Sequence, residues 1–121
     1  MTNEELHWLA GLAEGEGCFT TNHGGKELRF QIKMSDLDII EKVQRIIGTG
    51  SIYKIAKVRD NKQCWTYDLS GTAKATYLMM KLYPLMGLRR QLRIRELLPN
   101  TRSPVPEVTQ KPLDHNGVIV R

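Results

Sequence analysis

The sequence predicts an α+β domain in which a four-stranded antiparallel sheet carries helices on one face and leaves the other face open. Two pairs of segments alternate apolar and polar residues around turn-forming residues, as hairpins do. Segments with apolar residues at helical spacing stand before, between and after these hairpins. With 121 residues, 40% of them hydrophobic, the chain is long enough for one compact core and too short for two.

The first helix is predicted over residues 3–15, with Asn3 as its N-cap and glutamates in its first turn. Gly15 and Gly17 are expected to end it. Two alternating strands, joined by a glycine-containing turn, then occupy residues 18–34. The side chains expected to face inward from this hairpin are Phe19, Leu28, Phe30 and Ile32.

The second half of the chain repeats this order. A second helix, predicted to reach Ile47, is followed by a hairpin with strands at 51–58 and 63–70. A third helix ends near Pro84, and residues 88–98 form a short fourth helix that is rich in arginine.

Periodicity is lost in the last part of the chain. We therefore expect residues 1–98 to form a single domain and residues 99–121 to be a C-terminal extension, extended or mobile.

Charge and cysteine content narrow the class of protein. Lys and Arg outnumber Asp and Glu by 18 to 13, which favours a polyanionic partner such as nucleic acid or an acidic membrane surface. Cys18 and Cys64 form no paired motif, and no secretory or membrane-spanning segment is evident. These features predict a soluble intracellular protein of the cytoplasm, an organelle or a phage-infected cell, without membrane contact.

Two glutamates, Glu14 and Glu16, stand between glycines at the predicted end of the first helix. A helix C-terminus carries partial negative charge, so two acids there repel it. A divalent cation such as Mg²⁺, or basic groups brought close by folding, would turn this repulsion into attraction. On composition alone, a solvated acidic turn is the alternative.

The run from Leu9 to Gly17, LAGLAEGEG, closely resembles the signature of the LAGLIDADG homing endonucleases, with Glu in place of both Asp residues. The resemblance extends over residues 3–98 through the order α-β-β-α-β-β-α. It also includes the segment from Leu82 to Arg90, which resembles the family's approach to a basic active-site residue. This resemblance implies the LAGLIDADG fold with its DNA-binding sheet.

The resemblance also implies a function. Proteins of this kind are site-specific endonucleases of mobile introns or inteins, which hydrolyse double-stranded DNA with Mg²⁺ at a long, near-palindromic site; Mn²⁺ or Ca²⁺ would substitute in binding. Glu16 would be catalytic and hold the metal, with Glu14 as a secondary candidate. Arg89 would be a second catalytic residue, which stabilises developing charge or organises solvent. Arg89 and Arg90 as ordinary phosphate contacts are the alternative.

A single signature without an internal repeat implies that two chains are needed, as a homodimer. The resemblance places the signature helices at the dimer interface. The residues predicted to form it are Trp8, Leu9, Ala10, Gly11 and Leu12.

Alternation along the strands sends polar side chains to the open sheet face, where they would read DNA. The predicted DNA-binding residues are Thr20, Asn22, Arg29, Gln31, Lys33, Ser51, Tyr53, Lys57, Arg59, Thr66, Asp68 and Arg90. By their chemistry, Arg suits guanine, Gln and Asn suit adenine, and Asp accepts from cytosine. The alternative is that any exposed sheet face is polar.

Met34 departs from the family pattern, because relatives often carry a polar residue such as Gln there to position water. This departure leaves open a slow enzyme, or a DNA-binding regulator or RNA-splicing cofactor (maturase) that no longer cuts. A protein-interaction domain whose basic sheet meets an acidic partner is a further alternative, which salt-dependent binding to duplex DNA would distinguish.

Overall fold

The computed structural model describes residues 1–57 and 62–98, and its elements follow the predicted order. The helices and strands are α1 (Asn3–Glu16), β1 (Gly17–Asn22), β2 (Glu27–Met34), α2 (Leu37–Ile47), β3 (Ser51–Lys54), β4 (Trp65–Ser70), α3 (Thr72–Leu82) and α4 (Leu88–Leu97). Short 3₁₀ turns occur at His23–Gly25 and Tyr83–Leu85. The predicted α+β class and order of elements are confirmed. Among these residues, no helix has the length and apolarity that a membrane span requires.

The four strands form one antiparallel sheet in the order β1-β2-β4-β3, so that β2 and β4 lie in its centre. Phe30 of β2 lies opposite both Phe19 of β1 and Leu69 of β4, and all three are buried. They belong to one core with Leu9, Ala13, Ile40, Val43, Leu78 and Ile94, which come from the four helices. The helices therefore cover a single face of the sheet, as predicted.

Helix α1 differs from its predicted bounds at both ends. Thr2, and not Asn3, is the N-cap: its hydroxyl accepts from the Glu5 backbone N–H at 3.0 Å, and the Glu5 carboxylate accepts from the Thr2 N–H at 2.7 Å. Gly15 lies inside the helix, and Gly17 is the C-cap. A Cβ atom at Gly17 would lie 2.7 Å from the Ala13 carbonyl oxygen, which explains why glycine is needed at that position.

The second hairpin is shorter than predicted, because β3 ends at Lys54 and β4 begins at Trp65. Beyond these strands, the Gln63 side-chain amide donates to the carbonyl oxygens of Ile55, at 2.7 Å, and Cys64, at 2.9 Å. The Gln63 side chain thus supplements one further backbone bond, from the Ile55 N–H to the Cys64 carbonyl oxygen at 3.0 Å. The predicted DNA contact Arg59 and the predicted extension 99–121 lie outside the described residues.

Tyr67 fixes the connection between α2 and β3. Its side chain is fully buried, and its hydroxyl donates to the Thr49 carbonyl oxygen at 2.7 Å. Burial raises the pKa of the Tyr67 phenol well above its ordinary value, so the hydroxyl stays a donor. Gly50 has φ +104° and lies against this ring, where a Cβ atom would be 2.5 Å from the hydroxyl oxygen.

The contact between Gly50 and Tyr67 gives a testable prediction for stability. Gly50→Ala adds backbone strain of about 1–2 kcal/mol and crowding of about 1–3 kcal/mol against a ring that cannot move freely. The matched control is Gly48→Ala, since Gly48 has φ +84° but open space around its Cβ position. We expect Gly50→Ala to lower the free energy of unfolding in urea clearly more than the control. Equal losses would show that the Tyr67 contact contributes nothing.

Candidate active site and open sheet face

The two acids at the end of α1 have different surroundings. Glu14 is partly buried, and one of its carboxylate oxygens accepts from the backbone N–H of Gly87, the N-cap residue of α4. The other oxygen lies 3.4 Å from Nε of Arg90. Gly87 has no side chain with which to cap its own helix, so Glu14 caps α4 and places negative charge at its positive end. Glu14 is thereby a structural residue.

Arg90 completes the contact between the two helices. Its Nε donates to the Glu14 carbonyl oxygen at 3.0 Å, and a second guanidinium nitrogen donates to the Gly17 carbonyl oxygen. The side chain is only 13% exposed and lies over the Phe19 ring. Arg90 therefore binds backbone at the C-terminus of α1, and this engagement does not favour the predicted contact with DNA. We call Glu14, Gly87 and Arg90 the α1–α4 clasp.

Sequence reasoning missed a related contact, in which Nε of Arg93 donates to the Phe19 carbonyl oxygen at 3.1 Å. The only signal for it is the spacing of Arg90 and Arg93, which puts both on one side of α4.

The Arg89 side chain points away from these contacts. It is exposed and lines a cavity of about 520 Å³ together with Gly17 and Cys18. The structure thus brings Arg89 to the end of α1 that carries Glu16.

Glu16 is the last residue of α1 and is exposed. No hydrogen bond or ion pair joins its side chain to any other described residue. The helix dipole repels it, and the nearby Arg90 is already engaged by Glu14 and by backbone carbonyls. Within residues 1–57 and 62–98, no group of three or more His, Cys, Asp or Glu side chains could hold a metal ion. One chain therefore offers a single unpaired carboxylate here.

Met34 does not lie on the open face. It ends β2 opposite Trp65, and its half-buried side chain packs against the core. A residue in that direction cannot position water above the sheet, so Met34 is removed from the candidate site residues. The neighbouring open-face residue is Lys33, which is exposed.

The exposed side of α1 also differs from the prediction. Leu9 and Ala10 are 0% and 5% exposed in the single chain, because they pack into its own core. They are not available to a second chain, which corrects the predicted interface. The other side of the helix carries the exposed Gly11 and Gly15 and the partly buried Trp8 and Leu12, which together we call the α1 stripe. At Gly11 and Gly15 no atom lies within 4 Å of a Cβ position.

The strand register brings most of the predicted contact residues together on the face away from the helices. These residues are Thr20, Asn22, Arg29, Gln31, Lys33, Ser51, Tyr53, Thr66 and Asp68. Lys57 is exposed in the segment after β3 and belongs to no strand.

Several of these polar groups are already paired. Arg29 and Asp68 form an ion pair at 2.8 Å, and this hydrogen bond raises the pKa of the Arg29 guanidinium. The Gln31 amide lies 3.4 Å from the Tyr53 hydroxyl. Thr66 lies between Lys33 and Tyr53 in the register and is only 6% exposed. It is therefore not available to a ligand, although it was predicted to contact DNA.

Comparison with solved structures finds the same fold. The homing endonuclease I-CvuI, in complex with the I-CreI target and 2 mM Mg, is 20% identical; the match covers 81% of this chain and 69% of that chain, with a TM-score of 0.55. The archaeal intron-encoded I-Vdi141I complexed with DNA is 18% identical, with coverages of 78% and 66% and a TM-score of 0.60. The group I intron-encoded I-CeuI complexed with DNA is 13% identical, with coverages of 79% and 53% and a TM-score of 0.59.

No curated protein matches this chain. A family model described as LAGLIDADG endonuclease matches residues 9–91, a range that holds the LAGLAEGEG run, the whole sheet and Arg89. By this match, the chain belongs to the LAGLIDADG endonuclease family.

Proposed function

We propose that the protein is a site-specific DNA endonuclease that cuts both strands of a long, near-palindromic site as a homodimer, with Mg²⁺ bound by Glu16. The observation that carries this proposal is the contrast between the two signature acids. Glu14 is held by Gly87 and Arg90, whereas Glu16 is exposed and unpaired at the same helix end. I-CvuI was crystallised with uncleaved DNA in 2 mM Mg and with its target in 2 mM Ca, which supports DNA binding in the presence of a divalent cation.

The exposed Glu16 carboxylate fits a hard divalent cation, since Mg²⁺, Mn²⁺ and Ca²⁺ prefer oxygen ligands. A bound Mg²⁺ would supply Lewis acidity at the phosphate and a water of lowered pKa. The role of Glu16 is to bind this cation where the helix dipole already favours positive charge. Arg89, exposed in the neighbouring cavity, would offset negative charge that develops on the phosphate.

Two observations support the homodimer: the described residues of one chain offer no cluster of metal ligands, and one side of α1 carries two exposed glycines. The α1 stripe presents two glycines, around which a second helix can approach closely. Twofold packing of two stripes would bring both Glu16 residues near the dimer axis, because Glu16 comes four residues after Leu12 and so lies on the same side of the helix. The two open sheet faces would then extend to either side along the DNA, one on each half-site.

We further propose that residues 1–98 are one endonuclease domain and that residues 99–121 are an extension to it. In support, the core joins all four helices and reaches Leu98, which is fully buried.

Glu16→Gln and Glu14→Gln are expected to have opposite effects. Glu16→Gln lowers Mg²⁺-dependent cleavage by roughly 10²-fold or more and leaves the melting temperature equal or slightly higher, because it removes a charge that the helix dipole repels. Glu14→Gln weakens the α1–α4 clasp and lowers stability by about 1–2 kcal/mol. Cleavage of a randomised site library and thermal unfolding measure the two effects, and EDTA should abolish cleavage by the wild type.

Other outcomes would redirect the assignment. Duplex binding by the wild type without cutting in Mg²⁺ or Mn²⁺ would indicate a DNA-binding regulator or maturase. Absence of salt-dependent duplex binding would indicate a protein-interaction domain. Loss of cleavage in Glu14→Gln but not in Glu16→Gln would exchange the roles given to the two acids.

Gly11→Met tests the proposed dimer. A methionine fits in the single chain, because nothing lies within 4 Å of the Cβ position, and replacing glycine within a helix favours folding by about 1 kcal/mol. In a closely packed helix pair the same side chain would separate the chains. We expect light scattering to show a shift from dimer to monomer, with Arg45→Met on the exposed side of α2 as the control. A dimer that tolerates Gly11→Met would exclude the α1 stripe as its interface.

A further inference from the structure

We infer that Arg29 and Asp68 form a preassembled unit that reads one guanine in each half-site, with Arg29 contacting the base and Asp68 positioning Arg29. The inference rests on the proposed function and specifies part of its DNA substrate. It also changes the role predicted for Asp68, from a partner of cytosine to a support for its neighbour.

The pair is bidentate. Arg29 Nε donates to Asp68 Oδ1 at 2.8 Å, and Arg29 Nη2 donates to Oδ2 at 3.3 Å. Ser70 Oγ donates to the same Oδ2 at 2.9 Å, so the carboxylate is held from a second side. Arg29 lies on β2, while Asp68 and Ser70 lie on β4, and these are the two central strands of the sheet. The guanidinium is therefore fixed in the middle of the open face.

The donors that remain on Arg29 match guanine. A guanidinium has five N–H groups, and Asp68 takes one from Nε and one from Nη2. The edge formed by Nη1 and Nη2 keeps two roughly parallel N–H bonds. Guanine presents two adjacent acceptors, O6 and N7, in the major groove, and adenine and the pyrimidines do not present this pair. The Asp68 oxygens already accept three hydrogen bonds, which makes them poor acceptors for cytosine.

The net charge of the Arg29–Asp68 pair distinguishes it from a phosphate contact. Asp68 neutralises Arg29, so the pair has little net attraction for the DNA backbone, yet its donors keep their direction. Lys33, by contrast, is exposed and has no partner among the described residues, as suits a phosphate contact. A side chain held before binding also loses less rotamer freedom on binding, which favours base recognition by Arg29.

The test is a binding selection on a randomised duplex library in Ca²⁺, followed by the base preference at each position. We expect the wild type to prefer guanine at one position of each half-site by roughly 5- to 150-fold. Arg29→Ala should remove this preference at that position only, and Asp68→Asn should reduce it several-fold. The control Glu41→Gln removes the same charge from an exposed site on α2 and should leave the preference intact. Thermal unfolding of each variant checks the fold.

Three results would overturn the inference. If Arg29→Ala weakens binding equally on all sequences and reduces the salt dependence of binding, Arg29 is a phosphate contact. A folded Asp68→Asn that keeps the full guanine preference would remove the positioning role. A wild type that binds no duplex would overturn the proposed function itself, whereas binding with an unchanged base profile in the variants overturns this inference alone.

Discussion

The structure depends on how the C-terminus of α1 is neutralised. That end carries two carboxylates and a negative helix dipole, and α1 has no basic residue in its last turn. Arg90 of α4 provides the positive charge, and Glu14 in return caps the N-terminus of α4. Each helix end thus provides opposite charge and hydrogen-bond partners for the other. Because the clasp fixes α4 beside β1, it also fixes Arg89 at the cavity that is lined by Gly17, the residue after Glu16.

The clasp explains why two acids in one signature behave differently. Glu14 lies on the side of α1 that meets α4, while Glu16 comes after it at the exposed end. The remaining circumference of α1 is also divided: Leu9 and Ala13 are buried in the core, whereas the two glycines of the α1 stripe are exposed. One helix thereby provides a core surface and, in the proposed dimer, a surface for a second chain and a cation ligand, since residues three or four apart share a side.

The open sheet face combines two kinds of polar group. Some side chains, such as Lys33, are exposed and unpaired among the described residues and suit long-range attraction to phosphate. Others, such as Arg29 and Asp68, are paired to one another. Such a pair has little net charge but holds its remaining hydrogen-bond donors in a fixed direction. Affinity and base selection can therefore reside in different residues of one surface.

The sequence by itself determined the elements, the apolar face of each strand and the family, because periodicity and a nine-residue signature are properties of neighbouring residues. It also placed Glu16 and Arg89 among the candidates, although their roles remain proposals. Only the tertiary structure showed that Arg90 is a structural contact, that Met34 points to the core and that Leu9 and Ala10 are buried. Arg90 meets Glu14 across 76 positions of the chain, and Arg29 meets Asp68 across 39. Such pairings depend on how α4 and the two hairpins come together, which local pattern does not encode.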